Sequence, residues 1–281
     1  MSLQSRPVRF TLALATAAGL LVAAGCGNSD DDKTSTGSSG DETTTTVEGG
    51  IAQPQTISEG TLNVCSDIPY EPFEFEGDGP SGYTGFDIDL LAAIGAQMDL
   101  ELSVQDVDFD GILGNLAAGN CDIVASAVTI TDERAEQVDF SEPYFDAKQS
   151  LLVPADSDVT TLDDLAGERI GVQSGTTGEA YTNEHKPEGA EVVSFDGADS
   201  LFAALASGDV VAILQDFPVN AYRATQDDGV KVVEDYATDE QYGFAMKKGD
   251  DQLVTAINDG LAAVRESGDY DTIFASYFGE G

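Results

Sequence analysis

The amino-acid sequence predicts an α/β fold with two similar lobes. Short apolar runs alternate with segments of helical periodicity, which is typical of parallel sheets whose strands are joined by helices. This alternation begins again after Pro154, so the folded region contains two strand-and-helix series. The two series also share a local repeat, because residues 112–120 (ILGNLAAGN) resemble residues 201–209 (LFAALASGD). In both segments a glycine follows a helix and a strand comes next.

The order of the elements follows from the apolar pattern. The first series is predicted to contain strand 61–65, helix 86–98, strand 100–104, helix 111–118 and strand 122–125. The second series is predicted to contain helix 162–166, strand 169–172, helix 178–184, strand 192–193, helix 201–206 and strand 210–214. Ligands of open α/β sheets bind beyond the carboxyl ends of the strands, so the strand ends of both series are expected to line one cleft.

Residues 1–25 have the composition of a signal peptide. Arg6 and Arg9 precede an apolar stretch of about fifteen residues, which is too short to span a bilayer. The stretch ends in small residues before Cys26, and it resembles a lipoprotein signal peptide, in which Cys26 becomes the lipidated N-terminus. Ala23 stands where that family usually has leucine, so a plain secretory signal is the alternative. Both interpretations predict a mature protein at the outer face of the cell membrane or in the periplasm.

Residues 26–56 are rich in Ser, Thr, Gly and Asp and contain few apolar residues. Such a segment cannot bury enough surface to offset the entropy lost on ordering, so a flexible tether is expected. The remaining residues, 57–281, are numerous enough for one globular unit of two lobes. Cys65 lies late in one predicted strand and Cys121 at the start of another. Two buried thiols are therefore expected rather than a disulfide.

The chain is strongly acidic, with 52 Asp and Glu residues against 12 Lys and Arg residues and a formal net charge of -40. This balance argues against a nucleic-acid partner, because phosphate groups require a basic surface. A saline habitat is another explanation of the acidity. The single histidine, His185, lies in a polar segment, and the sequence contains neither a Ser/His/Asp pattern nor a His/Cys metal motif. We expect a monomer that binds a small molecule without a cofactor or metal.

Arg134 is the main candidate for a ligand-binding residue, because it follows an apolar strand in a chain with few basic residues. Its guanidinium matches the two oxygens of a carboxylate. Thr129 and the turn 174–178, which contains Thr177 and opens a helix, offer further donors to the same anion. Asp216 ends a strand of the second series and suits an ammonium group, although a helix N-cap is its alternative role. Together they predict a site for a free amino acid, because an unpaired buried charge costs several kcal/mol.

The other candidates are expected to surround the side chain of that ligand. Tyr70 and Phe109 would enclose its aliphatic part. Asp67, Gln173 and Gln215 would meet its polar end. Two amides and one acid, without a second cation, favour a neutral polar or a basic side chain over an acidic one.

Five motifs run in order through the folded region. They are GFDIDL at 85–90, TITDER at 129–134, DFSEPY at 139–144, QYGFA at 241–245, and the segment from GDY to YFG at 268–279. In this order they resemble the family 3 extracellular solute-binding proteins of ABC transporters. The resemblance implies a periplasmic-binding-protein-like fold of type II, in which two parallel-rich sheets are joined by two hinge strands.

The resemblance also implies lobe boundaries and ligand contacts. Lobe 1 would comprise 57–146 and 242–281 and lobe 2 would comprise 147–241, with hinge strands near 145–151 and 240–245. The glutamine-binding members have the most similar pattern, and their ligand contacts match eight positions of this sequence: Asp67, Tyr70, Phe109, Ala127, Thr129, Arg134, Thr177 and Asp216. A lysine and a histidine of that pattern are replaced here by Gln173 and Gln215, so the sequence leaves the identity of the amino acid open.

The function implied by the resemblance is that of a receptor. It would capture a polar L-amino acid, glutamine-like or basic, between two closing lobes and deliver it to the permease subunits of an ABC transporter. Lipid on Cys26 would hold it at the membrane. Two alternatives remain open: an enzyme that resembles cyclohexadienyl dehydratases, with Asp67 or Asp216 as proton donor, and a receptor that signals to a sensor protein.

Overall fold

Two β-sheets, one in each lobe, organise the computed structural model of the protein, which describes residues 50–279. The N-terminal part contains β1 (Thr61–Ser66), β2 (Phe75–Glu76), β3 (Tyr83–Thr84), α1 (Phe86–Ala96), β4 (Glu101–Asp106), α2 (Ile112–Ala118), β5 (Ile123–Val124), α3 (Asp132–Ala135) and β6 (Val138–Phe140). The middle part contains β7 (Phe145–Pro154), β8 (Arg169–Gln173), α4 (Thr177–His185), β9 (Glu191–Phe195), α5 (Ala198–Ser207), β10 (Ala212–Asp216), α6 (Phe217–Gln226) and β11 (Val230–Tyr242). The C-terminal part contains β12 (Ala245–Lys247), α7 (Asp251–Ser267) and α8 (Asp269–Phe278). Each predicted strand and helix occurs, although the helix predicted at 162–166 is a single 3-10 turn, Leu162–Leu165.

The sheet of lobe 1 has the strand order β4-β1-β5-β12-β6. Strand β1 pairs in parallel with β4 and β5, whereas β12 pairs antiparallel with β5 and β6. Side chains of β1 are buried on both faces, with Leu62 and Val64 in one hydrophobic cluster and Cys65 in another. Burial on both faces is what a strand between two layers of helices requires. It fixes the position of Asp67, which follows the carboxyl end of β1.

The sheet of lobe 2 has the strand order β11-β7-β10-β8-β9. Strand β8 pairs in parallel with β9 and β10, and β7 pairs antiparallel with β10 and β11. The local repeat found in the sequence is confirmed at two helix ends. Helix α2 ends at Gly119 and α5 ends at Gly208, and both glycines are left-handed, with φ of 78° and 79°. Each glycine turns the chain from a helix into the next strand of its sheet.

Two strands connect the lobes and pair with each other. Strand β7 leaves lobe 1 and β11 returns to it, and in their antiparallel pairing Phe145 lies opposite Tyr242 and Ala147 opposite Glu240. Aromatic rings pack around this crossing, since the ring centroid of Phe145 is 5.6 Å from that of Tyr242 and 5.0 Å from that of Phe278. Helices α7 and α8 pack on α1. The last helix therefore belongs to lobe 1 and contacts the hinge.

Cys65 and Cys121 form a disulfide, so the expectation of two buried thiols is wrong. Their Cα atoms are 5.8 Å apart, which is within the range of disulfides. Cys121 precedes β5, and β5 pairs directly with β1, the strand that contains Cys65. Both cysteines consequently lie in the same buried cluster. The two cysteines are 56 residues apart in sequence, and the adjacency of their strands could not be read from the local pattern.

The end of the predicted tether packs against lobe 1. Within residues 50–56, Pro54 is buried and Ile51 packs against the hydrophobic core. These apolar residues end the tether earlier than predicted. The predicted signal peptide (1–25), Cys26 and the tether up to residue 49 lie outside the described residues. No helix within residues 50–279 has the length and apolar character needed to cross a bilayer.

Candidate functional site

The predicted site residues meet in one cavity between the lobes. Nine of the ten line it: Asp67, Tyr70, Phe109, Ala127, Thr129, Arg134, Gln173, Thr177 and Asp216. Ser126 and Thr176 complete the lining. These residues follow the carboxyl ends of parallel strands or begin the helices after them, which is the usual ligand position in open α/β sheets.

Arg134 is held at the cavity by a short helix and by backbone oxygens of both lobes. The Thr131 hydroxyl caps α3 by accepting from the Arg134 N–H at 3.2 Å. The guanidinium donates to the carbonyl of Thr129 at 2.8 Å and, across the cleft, to the carbonyl of Gly175 at 3.0 Å. Its central carbon lies 5.3 Å from the ring centroid of Phe109. Burial lowers the pKa of Arg134, but a guanidinium stays charged at neutral pH, so the cavity keeps one permanent cation.

Asp216 ends β10 and points its carboxylate into the cavity. It stands at the N-cap position of α6, yet its side chain makes no capping hydrogen bond. One oxygen accepts from Gln149 at 2.6 Å, and the other accepts from the hydroxyls of Tyr70 at 3.0 Å and Tyr242 at 2.5 Å. Its alternative role as a helix cap is therefore not the one that its contacts support.

Burial raises the pKa of Asp216 to about 6, and the neighbouring carboxylate of Glu240 adds to the rise. The hydrogen bonds from the two tyrosines and Gln149 oppose it. A positive group beside Asp216 would remove most of this penalty, because it would pair the buried charge. The Asp216 side of the cavity thus favours an ammonium group.

Asp67 occupies the opposite part of the cavity wall and contacts the other lobe. The amide of Gln173 donates to its carboxylate at 2.5 Å. Burial raises the pKa of Asp67 to about 7, with smaller contributions from Asp106 and Asp108, while the Gln173 hydrogen bond opposes the rise. Asp67 is only 7% exposed, and no cation pairs with it among residues 50–279.

Gln215 does not line the cavity, which corrects its predicted role. Side chains alternate along a strand, so Gln215 points away from the face that carries Asp216. It is 3% exposed, and its amide donates to Asn220 of α6 at 2.9 Å. The glutamine that reaches Asp216 is instead Gln149 of β7, whose amide donates to the carboxylate.

The hinge strands supply site residues that were not predicted. Besides Gln149 and Tyr242, Glu240 of β11 accepts hydrogen bonds from the hydroxyls of Thr129 and Thr177 at 3.0 and 2.9 Å. The QYGFA motif at 241–245 directly follows Glu240 and contains Tyr242, so it marked this part of the chain as a family feature. The sequence did not show which of its side chains turn toward the cleft, because that depends on the β7–β11 register.

Two fully buried acids form hydrogen bonds to Ser126 and Ala127, which form the floor of the cavity. Glu74 accepts from the hydroxyl of Ser126 at 2.8 Å, and Asp87 accepts from the N–H of Ala127 at 2.8 Å. Ala127 has an uncommon φ of 45°, so this hydrogen bond fixes the sharp turn of the floor. Burial raises the pKa of Asp87 to about 7, and burial together with the charge of Asp87 raises that of Glu74. Asp87, the first of the two acidic residues of the GFDIDL motif, therefore positions the backbone at Ala127.

Chemically, the cavity offers one guanidinium and two buried carboxylates to a small ligand. Side-chain hydrogen bonds cross it between the lobes, from Arg134 to Gly175, from Gln173 to Asp67 and from Tyr70 to Asp216, and a longer one of 3.4 Å joins the hydroxyls of Thr129 and Thr177. The described part of the chain holds no cluster of three potential metal ligands, and His185 is exposed at the end of α4. This arrangement suits reversible capture of a ligand that carries both signs of charge.

Comparison with known proteins relates the chain to amino-acid-binding proteins. The probable histidine-binding protein of Neisseria gonorrhoeae is 34% identical over 233 residues, which cover 81% of this chain and 86% of that protein. A solved structure of an ancestral arginine-binding protein bound to glutamine is 38% identical, with a TM-score of 0.75, and the match covers 79% of this chain and 100% of that one. An ancestral amino acid-binding protein, a precursor of cyclohexadienyl dehydratase, is 37% identical, with a TM-score of 0.70 over 78% of this chain and 95% of that one.

The model of the bacterial extracellular solute-binding proteins, family 3, matches residues 62–280, which is most of the chain. The matched region includes both sheets, both hinge strands and every residue of the cavity. The chain belongs to family 3 of the bacterial extracellular solute-binding proteins.

Proposed function

We propose that the protein captures an L-amino acid with a basic or neutral polar side chain and delivers it to the permease of an ABC transporter. The observation that carries this proposal is the position of Arg134 and Asp216, which come from facing lobes and line the same cavity. An amino acid bears its carboxylate and its ammonium a few ångströms apart. Each pole would meet the opposite charge, so neither is buried unpaired.

Binding of the α-carboxylate would use Arg134 and the hydroxyls of Thr129 and Thr177. The guanidinium donates to two backbone carbonyls, which are weaker acceptors than a carboxylate. The ligand ammonium would contact Asp216. Because the ligand would contact residues of both lobes, ligand binding would favour the closed arrangement.

A basic side chain is the better match to the charges of the cavity. Two carboxylates and one guanidinium leave one uncompensated negative charge when both acids are ionised. A ligand with one extra positive charge would neutralise it at Asp67. With Asp67 protonated, below its pKa of about 7, a neutral polar side chain would be accepted instead. The similarity to a histidine-binding protein and to an arginine-binding protein bound to glutamine supports both parts of this range.

Location outside the cytoplasm is supported by two features. The leader has the pattern of a signal peptide, with Cys26 as the lipidation site and simple cleavage as the alternative. The disulfide between Cys65 and Cys121 is typical of proteins that fold in an oxidising compartment. A lipid on Cys26 would keep the receptor near its permease at the membrane surface.

A dehydratase activity is the second candidate, because one similar structure is the precursor of cyclohexadienyl dehydratase. Asp67, with its raised pKa, could supply a proton to a leaving hydroxyl in the cavity. Incubating the purified protein with a cyclohexadienyl carboxylic acid and following product absorbance tests this. Product formation would favour the enzyme over the receptor.

Thermal-shift screening and calorimetry with all twenty amino acids test the receptor proposal. A ligand present at about 100 times its Kd stabilises the folded state by about 2.7 kcal/mol, which is readily seen as a higher melting temperature. We expect arginine, lysine, histidine or glutamine to produce the largest shifts. Absence of a shift with every amino acid would contradict the proposal.

A further inference from the structure

Glu240 lies on the hinge strand β11 and forms hydrogen bonds to residues of lobe 1, lobe 2 and the other hinge strand. One of its carboxylate oxygens accepts from Thr129 of lobe 1 at 3.0 Å and from Thr177 of lobe 2 at 2.9 Å. The amide of Gln149, on the other hinge strand, donates to both Glu240 oxygens at 3.1 Å. Glu240 is half-buried and does not itself line the cavity.

The two hydroxyls held by Glu240 are the ones that a ligand carboxylate would use. A threonine hydroxyl has one proton and can donate one strong hydrogen bond at a time. Thr129 and Thr177 both line the cavity, so each can point its proton either inward to a ligand or back to Glu240. Both acceptors are carboxylates, one on Glu240 and one on the ligand, and a hydrogen bond to a carboxylate is stronger than one to a neutral acceptor. The two carboxylates therefore compete for the threonine hydroxyls on similar terms.

The position of Glu240 on the hinge makes this competition depend on closure. Thr129 is anchored beside β11, where it forms an isolated bridge with Tyr242, whereas Thr177 begins α4 in lobe 2. Glu240 can accept from both hydroxyls only when the lobes have approached each other. Its carboxylate therefore stabilises the approach of the two lobes.

We propose that Glu240 is a positioning residue that sets the affinity of the site, because its carboxylate competes with the ligand carboxylate for the hydroxyls of Thr129 and Thr177. This inference rests on the proposed amino-acid binding. A ligand must release both hydroxyls from Glu240, so part of its binding free energy is lost to that exchange.

The test uses Glu240→Gln and Glu240→Asp in the full mature chain. Glutamine removes the charge and weakens the acceptor, while aspartate keeps the charge but shortens the reach to the two hydroxyls. We expect both variants to bind the amino acid more tightly than the wild type, with a Kd about tenfold lower for Glu240→Gln. Asp239→Asn is the matched control, because it removes an exposed charge from the adjacent residue and should leave the Kd unchanged.

A purely structural role for Glu240 predicts the opposite result, since loss of packing at the hinge would weaken binding. An unchanged or higher Kd in Glu240→Gln overturns the proposal. If only the charge of Glu240 mattered, Glu240→Asp would keep the wild-type Kd, and this outcome also overturns it.

A second measurement does not depend on the ligand. Spin labels at cysteines introduced for Asp108 and Asp196, exposed residues that line one depression at the mouth of the cleft, report the separation of the lobes. In the ligand-free protein we expect a longer distance in Glu240→Gln than in the wild type or Asp239→Asn. Equal distances overturn the role of Glu240 in closure. If the wild type binds none of the twenty amino acids, the proposed function fails, whereas the spin-label distance still judges Glu240.

Discussion

The hydroxyl of Tyr70 in lobe 1 donates a 3.0 Å hydrogen bond to the carboxylate of Asp216 in lobe 2. Tyr242, at the end of the hinge strand β11, donates to the same oxygen at 2.5 Å. A single oxygen atom thus connects both lobes and the hinge. Any positive group that binds Asp216 must enter this network, so contact with the ligand is directly linked to the relative position of the lobes.

Arg134→Ala should weaken amino-acid binding by at least about 100-fold, because it leaves the ligand carboxylate in a buried cavity without a cation. Isothermal titration calorimetry measures the change. Arg169→Ala is the matched control, since Arg169 is an exposed arginine of lobe 2 that pairs with Glu191 at 3.7 Å, and it should bind normally. An Arg134→Ala protein with wild-type affinity would show that the guanidinium does not hold the ligand.

Asp67→Asn should change selectivity more than overall affinity. Without the carboxylate, the cavity loses its partner for a cationic side chain, so binding of arginine or lysine should weaken by about tenfold or more. Binding of glutamine should change little, because Asn can still accept a hydrogen bond from Gln173. Competition between arginine and glutamine, measured by calorimetry, gives the ratio. The ratio should not change in Asp228→Asn, which removes an exposed charge outside the cavity lining.

Amino-acid affinity should rise with pH through the pKa of Asp216. In the ligand-free protein that pKa is raised to about 6, so the carboxyl is largely protonated below this pH and ionised above it. The ligand ammonium binds the ionised form, so binding lowers the pKa and releases a proton below about pH 6. Titrations in buffers of different ionisation enthalpy, from about pH 5 to 7.5, count that proton. Uptake of protons, or an affinity that falls with rising pH, would contradict the ammonium role of Asp216.

Removing the disulfide should destabilise the protein without moving a site residue. The bridge closes a loop of 56 residues, for which the chain-entropy relation gives about 4 kcal/mol of stabilisation. Urea unfolding of the Cys65→Ser, Cys121→Ser double variant measures the loss. The wild type in reducing agent should match the variant, and the variant itself should not respond to reducing agent. A double variant as stable as the wild type would show that the bridge contributes nothing.

Much of the fold and site could be predicted because the necessary information is local in sequence. Apolar periodicity located the strands and helices, and residues at strand ends such as Asp67 and Asp216 follow directly from the strand positions. The residue types then separated the candidates for binding a ligand carboxylate from those for binding a ligand ammonium group. The same reasoning predicted the cleft, because parallel strands end at the same edge of a sheet.

The features that could not be predicted depend on register and on strands that meet from distant parts of the chain. Gln215 and Asp216 are neighbours in sequence, yet only one faces the cavity. Gln149 and Glu240 reach the site because β7 and β11 pair across the hinge. The Cys65–Cys121 bridge forms because β1 and β5 are adjacent in the sheet. None of these relations has a signal within a short window of sequence.

The disulfide cross-links the wall of the cleft that lobe 1 forms, but not the wall that lobe 2 forms. Cys65 precedes Asp67 by two residues, and its partner Cys121 lies just before the strand that leads to Ala127, so the covalent bond braces one whole wall. Residues 147–241 contain no cysteine, so the opposite wall has no such brace. The wall of lobe 1 is therefore covalently cross-linked, whereas the wall of lobe 2 is held by non-covalent contacts alone, and we expect lobe 2 to make most of the adjustment to amino acids of different size.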